Sequence, residues 1–325
     1  MAQIGYSLSS EEHPALDLVR YAQRAEETGF SFALISDHYH PWTSKQGESP
    51  FVWSVIGAIA AVTQQLRLGT GVTCPLIRTH PAIIAQAAAT AATMMPGRFF
   101  LGVGTGENLN EHILGGKWPP IAQRRQMLEE AVDVIRLLWQ GGLQSHYGQF
   151  YTVENARLYS LPPEPPPIFV AAAGEKTAKL AAKIGDGLIS VGANEEAAKA
   201  FREAASDSKP RYGQIAVCWA ENEEAARRTA YEWWPISALA DPLTQELPLP
   251  SHFESAAQMV SEIEVGNRIT CGPDPARHIE AIRKCIDAGF DHVYVHQIGK
   301  DQEGFFKFFG SEILPEFGQK GILAA

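Results

Sequence analysis

Basic residues are in the minority in this sequence, and long apolar runs are missing from it. Lys and Arg together number 27 against 37 Asp and Glu, which gives a formal net charge of −10 at pH 7. Since no cluster of Lys and Arg stands out, we expect no nucleic-acid-binding surface. The apolar stretch over residues 56–62 is far shorter than the ~20 residues that cross a membrane, so we expect no membrane association. The chain enters a strand pattern at residues 3–6, without a basic region or apolar signal core, which favours a cytoplasmic protein.

Cysteine is also scarce and does not occur in metal-binding spacings. The four cysteines are scattered and form no CxxC pair; they are Cys74, Cys218, Cys271 and Cys285. We therefore expect reduced thiols in the cytoplasm rather than a disulfide framework. His38 and His40 are spaced like two metal ligands, but no third ligand lies nearby in sequence, and we expect no metal site.

An alternation of strand and helix patterns runs from end to end of the 325 residues. Strands are predicted at residues 4–8, 32–36, 66–72, 98–103, 168–172, 187–191, 214–219, 267–271 and 292–297. Helices are predicted at residues 16–28, 51–64, 81–95, 121–139, 176–184, 195–205, 222–234, 275–288 and 304–313. A hairpin is predicted at residues 144–153, and a proline-rich loop without periodicity at 235–255. About eight strand–helix units favour a single (β/α)8 barrel over residues 1–325. Insertions are predicted near 38–50, 104–120, 141–167 and 235–266, and a doubly wound open sheet is the alternative fold.

A glycine-spaced turn after an apolar strand is the central motif. The segment is Phe-Phe-Leu-Gly-Val-Gly-Thr-Gly-Glu at residues 99–107. It differs from the dinucleotide fingerprint, which needs two residues between its last glycines. Glycines let the backbone approach a ligand closely, and Glu107 stands at the carboxyl end of a strand, where barrel enzymes keep their active sites. The alternative is a plain strand-to-helix turn.

Other candidate residues follow other predicted strands. His38 follows the second strand and is a candidate proton acceptor for an alcohol, although it could simply bond the backbone at the barrel mouth. Trp42 either lines a pocket or fills the core, and Asn110 stands where it could cap a helix. His296 lies near the end of the last predicted strand, where a barrel places its active residues. Arg268 is a candidate anchor for an anionic substrate, with surface pairing to nearby glutamates as the alternative.

Small residues precede the helix predicted at residue 176. They are Ala171, Ala172, Ala173 and Gly174. Free N–H groups and the helix dipole make such a helix start suitable for an anion, with Lys176 or Thr177 assisting. Close packing of strand on helix is the alternative.

Two motifs together resemble one enzyme family. The run Ser-Asp-His-Tyr-His-Pro-Trp at residues 36–42, with the glycine turn continuing as Asn-Leu-Asn-Glu at residues 108–111, is similar to the F420-dependent glucose-6-phosphate dehydrogenase group. That group belongs to the luciferase-like monooxygenase superfamily. The similarity extends through residues 170–174, 185–187, 273–275 and 292–296 and so covers nearly the whole chain.

The resemblance implies a barrel that holds coenzyme F420, an 8-hydroxy-5-deazaflavin that carries hydride. It implies that His38 takes the proton of a substrate hydroxyl, that Glu107 is a proton donor near the ring, and that Trp42 packs beside substrate and ring. It implies a cis peptide between Gly71 and Val72 behind the ring. The residues implied to contact the cofactor are Asp37, Gly71, Val72, Thr105, Gly106, Glu107, Asn110, Ala172, Ala173, Gly174, Glu175, Lys176 and Thr177, and Glu11 matches a carboxylate near the substrate.

Departures from the family pattern concern the substrate. The family holds sugar phosphate with two lysines and an arginine, and these positions fall on Asn194, Thr244 and Arg268 here. Val191 replaces a threonine of the same site, and Cys74 replaces a threonine near the ring. Because charged hydrogen bonds contribute ~1.5–3 kcal/mol each, glucose 6-phosphate is not the expected substrate.

The sequence therefore predicts an F420-dependent oxidoreductase that acts on a hydroxyl or carbonyl group of a sugar, sugar phosphate or alcohol, and forms a homodimer. An FMN-dependent monooxygenase of the same superfamily is the alternative, although Glu107 and the set formed by Asp37, His38 and Trp42 speak against it. A binding protein that has kept the barrel without its activity is the remaining alternative.

Overall fold

The computed structural model describes residues 2–205, 208–240 and 242–321 of the chain. The strands are β1 (Gln3–Leu8), β2 (Phe32–Ile35), β3 (Arg67–Thr70), β4 (Phe99–Val103), β5 (Gln144–Tyr147), β6 (Thr152–Ala156), β7 (Ile168–Ala171), β8 (Gly187–Val191), β9 (Arg211–Cys218), β10 (Thr270–Cys271) and β11 (His292–Gln297). The α-helices are α1 (Ala15–Thr28), α2 (Val52–Val62), α3 (Pro81–Met94), α4 (Asn108–Glu111), α5 (Ile121–Trp139), α6 (Glu175–Ile184), α7 (Glu195–Ala204), α8 (Glu223–Trp233), α9 (Leu243–Glu246), α10 (Pro250–Ala257), α11 (Glu262–Gly266), α12 (Pro275–Asp287) and α13 (Gln302–Phe308).

Parallel pairing of eight strands closes a barrel. The order is β1-β2-β3-β4-β7-β8-β9-β11, and β11 returns to pair with β1. Helices connect successive strands, so the predicted (β/α)8 barrel is confirmed. An open doubly wound sheet is ruled out, because β8 also pairs with β9 and the sheet has no free edge there.

Alternation of side chains along the strands fills both faces of the barrel wall. Phe32 and Leu34 of β2 point into the barrel, where they pack with Phe100, Phe169, Ile189, Tyr212 and Tyr294. Ala33 and Ile35 face the surrounding helices in the large outer core. Val72 and Ala171 are partly exposed and pack on this interior cluster, so they form the apolar floor of the barrel mouth.

Two segments lie outside the barrel repeat. Strands β5 and β6 form the predicted antiparallel hairpin, which extends to Ala156. Strand β10 is only two residues long and adds to the end of β9, with Thr270 opposite Val217.

The expectation of a structureless loop at residues 235–255 is wrong. A 3-10 turn at Pro235–Ala238 is followed by α9 and α10. Pro235 and Pro250 stand in the first turn of their helices, where proline's missing N–H costs nothing. These helices span four to eight residues, too few for a hydrophobic period to show in the sequence. No helix among the described residues combines the length and apolar character required to cross a membrane.

Candidate active site

The chain segments that leave β1, β2 and β4 bring the central polar side chains together. Parallel barrels gather all carboxyl strand ends at one face, and adjacent strands place their following residues side by side. His38 comes three residues after β2, and its Nε2 lies 3.3 Å from Oε1 of Glu11, which follows β1. The two side chains are 9% and 5% exposed, so they meet in a site from which most water is excluded.

Glu11 is held as a carboxylate by its neighbours. The Ser9 and Ser36 hydroxyls both donate to Oε2 of Glu11. Burial by itself raises the pKa of this group, but the charge on His38 and the bond from Ser36 outweigh it, so the pKa of Glu11 lies below its ordinary value. The carboxylate is therefore available to meet a positive charge on His38.

The Nδ1 atom of His38 has a partner in either protonation state. It lies 3.1 Å from the carbonyl oxygen of His40 and 3.2 Å from Nδ2 of Asn110. When Nδ1 carries a proton it donates to the carbonyl oxygen, and without one it accepts from the amide. Nδ1 thus has a hydrogen-bond partner whether or not it carries a proton.

Asn110 connects His38 with Glu107. Its Oδ1 accepts from the backbone N–H groups of Tyr39 and His40, which directs Nδ2 towards the other two side chains. Nδ2 lies 3.2 Å from Oε2 of Glu107 as well as 3.2 Å from His38. Asn110 is buried inside α4 rather than at its start, so the expectation of a helix cap is wrong: Glu107 occupies the N-cap position.

Asp37 belongs to a buried ionic network that sequence analysis did not find. Its Oδ1 receives a bond of 2.8 Å from Nη2 of Arg78, and its Oδ2 receives one of 2.7 Å from the Thr73 hydroxyl. Arg78 also pairs with Glu111, and burial raises the pKa of Glu111 despite that pairing. The network fixes the segments after β2 and β3 together, and both carboxylate oxygens of Asp37 are engaged in it.

A flat apolar surface adjoins these polar groups. The peptide bond between Gly71 and Val72 is cis, as the family resemblance implies. A Cβ added to Gly104 would lie 2.8 Å from Cγ2 of Val72 and 3.4 Å from Cβ of Ala171, so glycine leaves the space above the floor open. Gly106 has φ +71°, a conformation that favours glycine, and Thr105 beside it is half-buried.

The start of α6 presents its free N–H groups beside this floor. Ala172 is buried, whereas Ala173, Glu175 and Lys176 are exposed and Gly174 and Thr177 are half-buried. Two long-range bonds fix this turn: Nε of Arg125 donates to the Thr177 hydroxyl at 3.2 Å, and Nδ2 of Asn194 donates to the Ala173 carbonyl oxygen at 2.9 Å. Arg125 was not found from the sequence, because only the packing of α5 beside α6 shows its position.

The predicted substrate residues differ in where they lie. Asn194 caps α7 by accepting from Ala197 while it bonds Ala173, so contact with a substrate would require it to leave both bonds. Thr244 is half-buried on α9. Arg268 is exposed and comes just before β10. Strand β10 pairs with β9 beyond the point where β8 stops pairing with it. Val191, at the end of β8, is 72% exposed.

An apolar cluster, formed by Trp42 together with residues between 234 and 253, covers the mouth of the barrel. Trp42, Trp234, Ile236, Leu239 and Phe253 belong to it. The Trp42 ring lies 5.0 Å from the His38 ring, centre to centre, which places Trp42 at the site rather than in the barrel core.

Arg124 fastens this segment to the glycine turn. One guanidinium nitrogen donates to the Gly106 carbonyl oxygen at 3.1 Å and another reaches Glu246 of α9 at 3.3 Å. The guanidinium is fully buried and stacks on Trp118. Among the residues that the structure describes, no group of three or more His, Cys, Asp or Glu has the arrangement of a metal site.

We predict that Glu11→Gln removes part of the acid sensitivity of folding. A carboxyl whose folded-state pKa is lowered contributes stability that is present above its unfolded value, here 4.5, and is lost as the pH falls through the lower folded-state value. At neutral pH the variant should be less stable by about 1–3 kcal/mol, because the partners of the carboxylate lose a charged bond. Urea unfolding at a series of pH values should show that the difference in the free energy of unfolding between wild type and variant disappears below pH 4.5. Glu164→Gln, at an exposed position, is the control, and a difference that does not change with pH would contradict the prediction.

Comparison with known proteins agrees with this geometry. The family model described as luciferase-like monooxygenase matches residues 1–292. A curated relative from Nocardia farcinica (strain IFM 10152), named F420-dependent glucose-6-phosphate dehydrogenase, is 35% identical over 96% of this chain and 97% of its own length. A relative of the same name from Kribbella flavida is 36% identical, with 96% and 97% covered.

Solved structures are similar over nearly the whole chain. An F420-dependent secondary alcohol dehydrogenase in complex with an F420-acetone adduct superposes with a TM-score of 0.89 at 30% identity, covering 96% of this chain and 98% of that one. A coenzyme F420-dependent tetrahydromethanopterin reductase from Methanopyrus kandleri has a TM-score of 0.78 at 20% identity, with 97% and 99% covered, and shares the fold. On the family match and the length over which these relatives align, the chain belongs to the luciferase-like monooxygenase family.

Proposed function

We propose that this protein is an F420-dependent oxidoreductase that transfers hydride between the CH–OH carbon of a substrate and C5 of the deazaflavin. The observation that carries the proposal is the chain of side chains from Glu11 through His38 and Asn110 to Glu107, set beside an apolar floor. Relatives that share 30–36% of its residues over nearly full length bear the names of F420-dependent dehydrogenases.

The residues present fit this cofactor. The floor of Val72 and Ala171, left open by Gly104, suits one face of a planar ring. Gly71, Thr105, Gly106, Glu107 and Asn110 surround that floor, and Asp37 lies behind it in the network with Arg78. At the start of α6, residues 173–176 offer backbone N–H groups to the cofactor phosphate, whereas those of Ala172 and Thr177 already donate to the carbonyl oxygens of Ile189 and Gly174.

The side chains divide the proton chemistry among them. When bound, F420 supplies the hydride acceptor or donor. His38 takes the hydroxyl proton as hydride leaves the carbon, and the resulting positive charge is met by the Glu11 carboxylate at 3.3 Å. Glu107, joined to His38 through Asn110, is the proton donor we propose on the ring side of the site, and Trp42 and its cluster cover the site.

The substrate we propose is an uncharged secondary alcohol or its ketone rather than glucose 6-phosphate. Apolar and aromatic side chains cover the mouth, and Val191 presents an exposed methyl surface at the end of β8. Asn194 and Thr244 carry no charge, which leaves Arg268 alone of the three cations in the family pattern. The secondary alcohol dehydrogenase with a TM-score of 0.89 supports the same substrate class.

We further propose a cytoplasmic homodimer. Helices α2 and α3 pack together and expose Val62, Ile83 and Met94, with Phe51 exposed just before α2. An apolar patch of this kind suits a second copy of the same surface. The four cysteines are buried and unpaired, as reduced thiols would be. A monomer in sedimentation equilibrium at micromolar concentration would contradict the dimer.

Titration by fluorescence quenching, with F420 and FMN run in parallel, is the first test of this function. We expect tight binding of F420 and weak binding of FMN. Tight binding of FMN with rapid oxygen consumption by the reduced protein would instead favour the monooxygenase alternative.

His38→Gln should lower kcat for a secondary alcohol by about 10²–10⁴-fold, as loss of a general base does, without changing F420 affinity. His146→Gln, in the hairpin outside the barrel, is the control.

We predict that Thr244→Lys improves activity on glucose 6-phosphate. A lysine at this position restores one cation of the family pattern, and one charged hydrogen bond is worth about 1.5–3 kcal/mol, or roughly tenfold or more in kcat/KM. Thr244→Met is the matched control, since it adds length without charge. Equal activity of the two variants on glucose 6-phosphate would show that position 244 does not face the substrate phosphate.

A further inference from the structure

A second buried histidine–carboxylate pair lies beside the first and has no part in the mechanism above. Nε2 of His296 is 2.6 Å from Oε2 of Glu12, and the two side chains are 3% and 1% exposed. The backbone N–H of Gly299 donates to the other oxygen of Glu12 at 3.3 Å. His296 stands near the end of β11 and Glu12 in the segment that follows β1.

Glu11 and Glu12 are consecutive, yet their carboxylates reach opposite neighbours. In the barrel, β1 lies between β2 and β11. Glu11 contacts His38 and Ser36, which follow β2, whereas Glu12 contacts His296 and Gly299 on the β11 side. The buried segment over residues 9–13 is thereby held from both sides, and the position of Glu11 depends on both attachments.

The same apolar cluster covers both histidines. Trp234 meets the His296 ring edge-on, with ring centres 4.5 Å apart, and Trp42 lies 5.0 Å from the His38 ring. Both tryptophans pack with Phe253 in that cluster. The two pairs therefore lie under one cover, at the same mouth.

We infer that the Glu12–His296 pair is a positioning device that holds Glu11 against His38. A buried carboxylate that loses its side-chain donor is an uncompensated charge, and such a charge is costly enough to move the backbone that carries it. Since Glu11 is the next residue, that movement takes its carboxylate away from His38. The kinetic consequence rests on the proposed function, whereas the geometric one concerns this chain alone.

The experiment compares His296→Leu, which removes the donor, with His296→Gln, which keeps an N–H at the end of the side chain. The first readout needs no cofactor: ring nitrogen resonances of His38 in protein labelled with ¹⁵N-histidine, assigned with His38→Gln. We expect these resonances to shift in His296→Leu and to stay near their wild-type positions in His296→Gln. Unmoved His38 resonances in His296→Leu would overturn the inference.

The second readout is turnover with F420 and a secondary alcohol. We expect His296→Leu to lower kcat at least tenfold with F420 affinity within twofold of wild type, and His296→Gln to restore most of it. In a Glu11→Gln background the same His296→Leu change should have little effect, because its route of action is already removed. An equal loss of kcat in both backgrounds would contradict positioning through Glu11.

Two provisions keep the test decisive. Should His296→Leu fail to fold, His296→Met replaces it, since methionine also removes the N–H donor while its flexible side chain fills the same space and Glu12 keeps its charge. A wild-type protein that does not turn over with F420 would refute the proposed function, and the His38 resonances would still decide whether His296 positions Glu11.

Discussion

Every buried charge at the mouth of this barrel has to be paired, and the arrangement of the site follows from that requirement. Taking a carboxylate out of water costs several kcal/mol unless a donor or cation faces it. Glu11, Glu12, Asp37 and Glu111 are all buried, and each is paired with a residue from another strand end or loop: His38, His296 and, for both Asp37 and Glu111, Arg78. The partners join segments that are far apart in sequence, so satisfying the charges also positions the loops.

The interior of the barrel is filled with apolar side chains, so the buried polar groups lie at its mouth. Aromatic rings from β2, β4, β7, β9 and β11 pack together inside the barrel, with Val72 and Ala171 on top of them. Chemistry is therefore confined to the carboxyl ends of the strands, above a floor that packing holds rigid. Arg124 connects this floor to the segment above it, because its guanidinium bonds both the Gly106 carbonyl oxygen in the glycine turn and Glu246 of α9.

The barrel and the residues directly after its strands could be predicted from the sequence, because both depend on local patterns. Strand–helix alternation indicated the fold, and His38 and Glu107 were identified by position and by family resemblance. Arg78 and the Glu12–His296 pair were not paired in advance, since Arg78 lies 41 residues from Asp37 and His296 lies 284 residues from Glu12. Contacts between residues so far apart leave no pattern in the local sequence. The short helices after residue 235 were missed because each is too brief to show a period.

Asn194 joins the start of α7 to the turn before α6. The family pattern places a phosphate-binding lysine at this position, whereas here the side chain ties the end of β8 to the Ala173 carbonyl in the turn that precedes α6. A lysine has no acceptor atom, so it could not cap α7 as the Asn194 amide oxygen does. A lysine placed at residue 194 to bind a sugar phosphate would therefore give up the bond from the Ala197 N–H that caps α7. The choice of residue 194 is thus constrained by the fold as well as by the substrate.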